Sequence, residues 1–132
     1  MRYQRNRIRH RIIPELKAIN PIVSDAIVRL GASVREDISL ISNLTDMAFD
    51  ELVTISDEGA FISRRGLRKK PLAIQRRLWQ RLVSIFDPEI KLTTAHQEQL
   101  LDIVNTGEGK TFNIKSIKVS AQCDTIKVYC KH

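Results

Sequence analysis

"TFNIKSIKVSAQCDTIKVYC", residues 111–130, decides the fold class. Ile117, Val119 and Ala121 alternate with Lys118, Ser120 and Gln122, and Ile126, Val128 and Cys130 alternate with Lys127, Tyr129 and Lys131. A period of two sends alternate side chains to opposite faces of a strand. Lys115-Ser116 and Cys123-Asp124-Thr125 read as tight turns, so "TFNI", "IKVSAQ" and "TIKVYC" form a small antiparallel β-meander at the C-terminus. Nothing of this kind dominates upstream, where the apolar period is that of a helix.

Residues 94–104 open with Thr94 and Gln97 in capping-box spacing and place Leu100, Leu101 and Val104 inward. Gly107 is the stop signal. Before it, Pro71 opens a helix to about Phe86 with Ile74, Leu78, Leu82, Ile85 and Phe86 on its apolar face. Before that helix "RRGLRKKP", ending at Pro71, reads as a basic loop. "ELVTIS", "DEG" and "AFISRRG" predict a short hairpin near residues 52–64, with Gly59 supplying the positive φ of its turn.

A long helix is expected from about 21 to 49, capped by Asn20 and with Pro21 at its first position. Its apolar stripe is Ile27, Leu30, Val34, Ile38, Ile41, Leu44 and Ala48, and Gly31 within it marks close packing at a cost of about 1 kcal/mol relative to Ala. Residues 2–12 are also helical, and Pro14, lacking an N–H, breaks or kinks that helix before a short piece from Glu15 to Ile19. The whole is α+β and mostly helical: helices packed together, a hairpin, and a C-terminal meander.

The chain of 132 residues is one domain or slightly more, with 42% apolar and 28% charged residues. No apolar run approaches the roughly eighteen residues of a spanning helix, and no signal core follows the basic N-terminus, which points to a cytoplasmic chain without a membrane partner. Cys123 and Cys130 are too few for a disulfide framework, and His10, His96 and His132 stand apart, so no metal ligand set is expected. "GEGK" at 107–110 lacks the spacing of a phosphate loop and leads into a strand. No serine sits in a nucleophile elbow, and Asp57-Glu58 belong to a turn. No catalytic or cofactor-binding residue is therefore assigned.

The net charge of +7 is segregated. Residues 1–20 hold six bases against Glu15, residues 64–81 hold eight and no acid, and residues 25–58 reverse the sign with eight acids and two bases. Such a surface concentrates a polyanion. The candidate contacts are Arg5, Arg7, Arg9 and Arg11 in the first block, and Arg64, Arg65, Arg68, Lys69, Lys70, Arg77 and Arg81 in the second. Arg5/Arg9 and Arg7/Arg11 repel at i,i+4 by about 0.2–0.5 kcal/mol per pair unless an acidic surface or phosphate lies opposite. A solvated charge run is the plain alternative. Trp79 among these cations is either a stacking platform or, as helical tryptophans more often are, core.

"RNRIRHRIIPELKAINP" resembles the segment closing the synthetase domain of the bacterial tRNA(Ile)-lysidine synthetases, with Arg5, Asn6, Ile8, Arg9, Pro14, Leu16, Asn20 and Pro21 in the family's pattern. "KKPLAIQRRLWQRL" is similar to a second family block through Leu72, Ala73, Gln75, Arg76, Arg77 and Leu78. "TTAHQEQLLDIVNTGEGKTFNI" is similar to a third through Thr94, His96, Leu100, Gly107, Gly109 and Lys110. The three occur in family order over nearly the whole chain. The family's S-G-G-x-D-S phosphate loop has no counterpart here, nor is there a clear one for its acceptor-stem domain, and "NIKSIK" stands where a proline-glycine turn is usual.

The resemblance implies a middle domain. Residues 1–20 would be a junction helix left from the synthetase domain, its arginines partly facing that domain, and residues 21–132 a tRNA-contacting domain. The parent would use ATP and magnesium to adenylate C2 of the wobble cytidine of tRNA(Ile), after which lysine displaces AMP. ATP, magnesium and lysine would be held by the domain not represented, leaving this part without a cofactor and inactive alone. A dimer is among the expected oligomeric forms. The competing readings are an independent basic nucleic-acid-binding module and a protein-interaction domain without a catalytic parent.

Overall fold

A computed structural model describes residues 2–131 and confirms the α+β, mostly helical class. Its contacts divide the chain into two compact units, Met1–Leu40 and Ile41–His132.

Over its described residues the first unit is helical apart from a break at residues 20–22. Helix α1 (Arg2–Arg7) runs into a π-helical turn (Ile8–Ile12) and then into α2 (Ile13–Ile19). The widened turn explains why Pro14 does not end the helix. The N–H of Ile13 reaches back five residues to the Ile8 carbonyl, and the looser winding accommodates a ring that an α-turn would not. Asn20 is extended, and its Oδ1 accepts from the Ile22 N–H at 3.2 Å. Helix α3 (Val23–Leu52) therefore starts two residues later than the Pro21 expected from sequence and ends three later than residue 49. None of residues 2–40 is buried: Ile27, Leu30, Val34 and Ile38 are all exposed, and a Cβ on Gly31 would meet nothing within 4 Å. The close packing expected at Gly31 is absent.

The second unit holds the core. The α3 positions turned into it are Thr45, Ala48 and Leu52, with Ile41 and Phe49 partly covered. Leu44 is exposed, and Thr45 takes the inward place because its hydroxyl donates to the Ile41 carbonyl at 2.7 Å. Strands β1 (Val53–Ser56) and β2 (Gly59–Ser63) form the expected hairpin. Strands β3 (Thr111–Ile114), β4 (Ile117–Gln122) and β5 (Thr125–Cys130) form the expected meander, and both its turns are tight, with Lys115 and Cys123 at positive φ. Hairpin and meander prove to be one five-stranded sheet, ordered β1-β2-β5-β4-β3 and antiparallel throughout, because β2 pairs with β5.

Helices α4 (Arg64–Arg68), α5 (Leu72–Phe86) and α6 (Thr94–Thr106) complete the unit. Leu67, Leu78, Trp79, Leu82, Val83, Leu100 and Val104 join Ile62, Ile117, Val119, Ile126 and Val128 in a single buried cluster. Each such aliphatic contributes about 1.5–3 kcal/mol on leaving water. Ile85, expected inside, is exposed, and Val83 and Trp79 fill the face instead. The α6 cap is one residue earlier than expected. Thr93 accepts from the His96 N–H, and His96 Nδ1 accepts from the Thr93 N–H, a capping box with histidine in the place of Gln97.

Gly59 is fixed twice, by a φ of 129° and by neighbours, since a Cβ there would lie 2.4 Å from the Val128 carbonyl oxygen. Gly59→Ala should therefore cost at least about 2 kcal/mol in urea unfolding, combining backbone strain with a clash across β2–β5. Gly31→Ala should be neutral or stabilise by up to about 1 kcal/mol. Equal urea midpoints for Gly59→Ala and the unsubstituted chain would contradict this packing.

Candidate nucleic-acid interface

Residues 64–68, expected as loop, are the helix α4. Ser63 caps it by accepting from the Gly66 N–H at 3.2 Å, and Asp124 completes the cap from the β4–β5 turn. The Arg65 N–H donates to Asp124 Oδ1 at 2.8 Å and the Arg64 N–H to the Asp124 carbonyl at 2.7 Å. A carboxylate at a helix start satisfies N–H groups that have no partner within the helix. Two basic residues and a glycine look like loop because the group that makes them helical lies far along the chain.

The seven candidate cations among the eight of this block separate by what they touch. The Arg64 side chain is half-buried and engaged: Nε donates to the Cys123 carbonyl at 2.9 Å, and a terminal nitrogen to the Val104 carbonyl at 3.3 Å, near the end of α6. Gly107 makes room for it, since a Cβ there would lie 2.9 Å from Arg64 Cδ. Lys70 pairs with Glu51 at 2.6 Å. Arg81 pairs with Asp46 and lies over the Phe49 ring at 4.6 Å. Arg65, Arg68, Lys69 and Arg77 are exposed and in no ion pair among the described residues. Arg65 and Arg68 line a concavity of about 420 Å³ with Arg64, Glu108, Cys123 and Asp124. Arg77 lines another with Arg81, Ser42, Thr45 and Asp46.

Arg5, Arg7, Arg9 and Arg11 are all exposed, also without ion pairs among the described residues. Arg7 and Arg11 line a shallow concavity with Tyr3, Asn6 and His10.

Trp79 is core, 1% exposed, and offers no face to a base. The 107–110 loop does not fit a nucleotide phosphate. The Gly109 N–H donates to the Ala121 carbonyl at 3.1 Å, those of Glu108 and Lys110 bond within the turn, and the Lys110 ammonium pairs with Asp102. Lys110, and then the Thr106 hydroxyl, hold the exposed Asp102 carboxyl below the ordinary aspartate range. Among the described residues no cluster of three or more His, Cys, Asp or Glu side chains could hold a metal ion, and no helix is long and apolar enough to cross a membrane.

No family model matches the chain. Individual proteins do. It is 31% identical over 84 residues to a tRNA(Ile)-lysidine synthase of Geobacter sulfurreducens, a match covering 63% of this chain and 18% of that protein. The corresponding figures are 25% over 111 residues, 83% and 24% for the tRNA(Ile)-lysidine synthase of Dehalococcoides mccartyi, and 30% over 105 residues, 79% and 22% for that of Streptococcus gordonii. The chain is a distant, partial homologue of the tRNA(Ile)-lysidine synthases. It spans between 18% and 26% of the length of the curated relatives it matches.

Arg64→Ala should lower unfolding free energy by about 0.5–1.5 kcal/mol, because the Cys123 and Val104 carbonyls lose their donor. Arg65→Ala and Arg68→Ala should stay within about 0.5 kcal/mol. Urea titration of the three variants compares them directly. The lowered Asp102 value means that its contribution is present above the unfolded aspartate range and is lost as pH falls through the depressed value. Lys110→Gln should move the Asp102 carboxyl titration, followed by carbon NMR, back upward, and an unmoved titration would remove Lys110 as its cause.

Proposed function

We propose that the chain is the tRNA-contacting middle part of a lysidine-forming enzyme, with residues 1–20 a junction helix and residues 21–132 the contacting domain. The parent activity would be the ATP- and magnesium-dependent joining of lysine to C2 of the wobble cytidine of tRNA(Ile), performed by residues outside this chain. Partial homology to several tRNA(Ile)-lysidine synthases supports the reading. The observation that carries it to particular residues is the group Arg65, Arg68 and Lys69, exposed, without ion pairs among the described residues, and clustered on and just after α4. Asp124, the carboxylate beside them, accepts the Arg65 N–H through Oδ1 and the Ser63 hydroxyl through Oδ2, so it competes less with an incoming phosphate for these cations. Arg77 adds a further cation on α5. Arg64, Lys70 and Arg81 belong to the frame that holds these groups and contribute field more than contacts.

Isolated, this chain should bind tRNA weakly, and charge reversal at Arg65, Arg68 and Lys69 should weaken it by roughly tenfold or more. The logarithmic salt slope should fall by roughly 2.1–2.7 for the three sites, at roughly 0.7–0.9 per phosphate contact. Labelled tRNA titrated at several salt concentrations, with melting curves as folding control, measures both. An unchanged slope in a normally folded variant would reduce the cluster to a solvated charge run. The chain should also form no AMP from labelled ATP in the presence of tRNA and lysine, and turnover that follows the purified protein would overturn the assignment of chemistry to residues elsewhere.

A further inference from the structure

The outward face of the sheet is unlike that of an ordinary solvated meander. Alternation puts Phe61, Lys118, Ser120, Lys127 and Tyr129 on the side away from the buried Ile62, Val119 and Val128. The register brings them together: Phe61 lies opposite Lys127, Lys127 opposite Ser120, and Tyr129 opposite Lys118. Lys127 Nζ lies 5.3 Å from the Phe61 ring centre and 5.2 Å from that of Tyr129. Both rings are half-buried, with part of each surface reaching solvent. No strand position facing outward is a carboxylate; the acid at the margin is Glu58, in the β1–β2 turn, 3.5 Å from Lys127 and 77% exposed. An exposed pair at such a distance is weak and readily exchanged for another anion.

We propose that this face is a stacking platform for unpaired nucleotides of an RNA strand. Two aromatic rings at neighbouring outward positions share the Lys127 ammonium, a cation that a strand's phosphate would draw off as a base stacks on the ring it covers, and Lys118, opposite Tyr129, supplies a second cation. Base–aromatic stacking tolerates any base, and cations between the rings add attraction without demanding a sequence. Charge complementarity selects the occupant. Outward positions around the rings carry Lys, Ser, Thr and Asn and none carries an aliphatic side chain, so the surface suits a polyanion with flat faces better than an apolar protein partner. A duplex keeps its bases stacked on one another and cannot use the rings. The site involves none of the arginines of the proposed tRNA contact, and neither reading requires the other.

The test uses the full chain and a labelled, unstructured ten-nucleotide RNA, compared with the same sequence annealed to its complement. The single strand should bind more tightly than the duplex. Phe61→Leu combined with Tyr129→Leu, which keeps apolar strand residues, should weaken single-strand binding by about tenfold or more. Lys118→Gln with Lys127→Gln should lower the single-strand salt slope by roughly 1.4. Neutralising Arg65, Arg68 and Lys69 to glutamine should weaken single-strand binding less than the leucine pair does, while weakening tRNA binding more, so the two surfaces fail separately. Amide shift mapping on the unsubstituted chain covers the case of a leucine variant that does not fold: single-strand RNA should perturb β2, β4 and β5. Perturbations confined to α4, an unchanged affinity in the folded leucine variant, or equal displacement by an acidic peptide would overturn the proposal.

Discussion

The pairing of β2 with β5 is the constraint on which the second unit depends. It places Ala60 opposite Val128 and Ile62 opposite Ile126, and so turns a local hairpin and a local meander into one surface with a single buried side. The approach needs a residue without Cβ at Gly59, where the Val128 carbonyl stands close. Gly59 does double duty in this sense. Its φ closes the β1–β2 turn, and its missing side chain admits the neighbouring strand. A two-stranded hairpin alone is marginal in water, whereas five strands over a helical core are not.

A second fastening follows from the first. Bringing β5 beside β2 sets the β4–β5 turn at the end of β2, where α4 begins, and Asp124 can then cap that helix. Arg64 returns the contact by donating to the Cys123 and Val104 carbonyls, tying the turn to the end of α6. These bonds decide the chemistry of the basic block. A guanidinium pointed at two carbonyls, or one laid over Phe49 beside Asp46, is part of the frame. The cations left facing solvent are those whose directions no buried acceptor claims. Adjacent residues of like type, Arg64 and Arg65, thus have opposite surroundings, and sequence spacing alone does not separate them.

The legible part of the fold was the part fixed by local period. Alternation over residues 117–130 reports both strands, and the three-four spacing of Ile74, Leu78 and Leu82 reports α5. What escaped depends on distant groups or small geometric choices. The helix α4 is hidden because its cap, Asp124, comes from another turn. The α6 cap shifts to Thr93 because a histidine nitrogen can do the work usually assigned to Glu or Gln. Union of the hairpin with the meander leaves no local signature at all. The sheet's outer face was readable in principle, since Phe61, Lys127 and Tyr129 fall at outward positions, but their convergence requires the β2–β5 register.

The unburied residues 2–40 obey a different physics. Helical bonds there are satisfied along the chain, while Ile8, Ile12, Leu16, Ile27 and Leu30 remain in water. Apolar side chains on a helix surface give no burial energy, so these turns depend on propensity and on hydrogen bonds that are only modestly favourable in water. Proline at position 14 lowers that propensity, and the π-turn before it is the form in which the helix survives the loss of one donor. The arginines at 5, 7, 9 and 11 repel one another in the same stretch. The two like-charge pairs oppose the helix by only about 0.2–0.5 kcal/mol each, and the segment is helical in spite of them. The charge block of residues 1–20 therefore differs in kind from that of residues 64–81: the second stands on elements that pack into the core, and the first on helical turns that bury none of the described side chains.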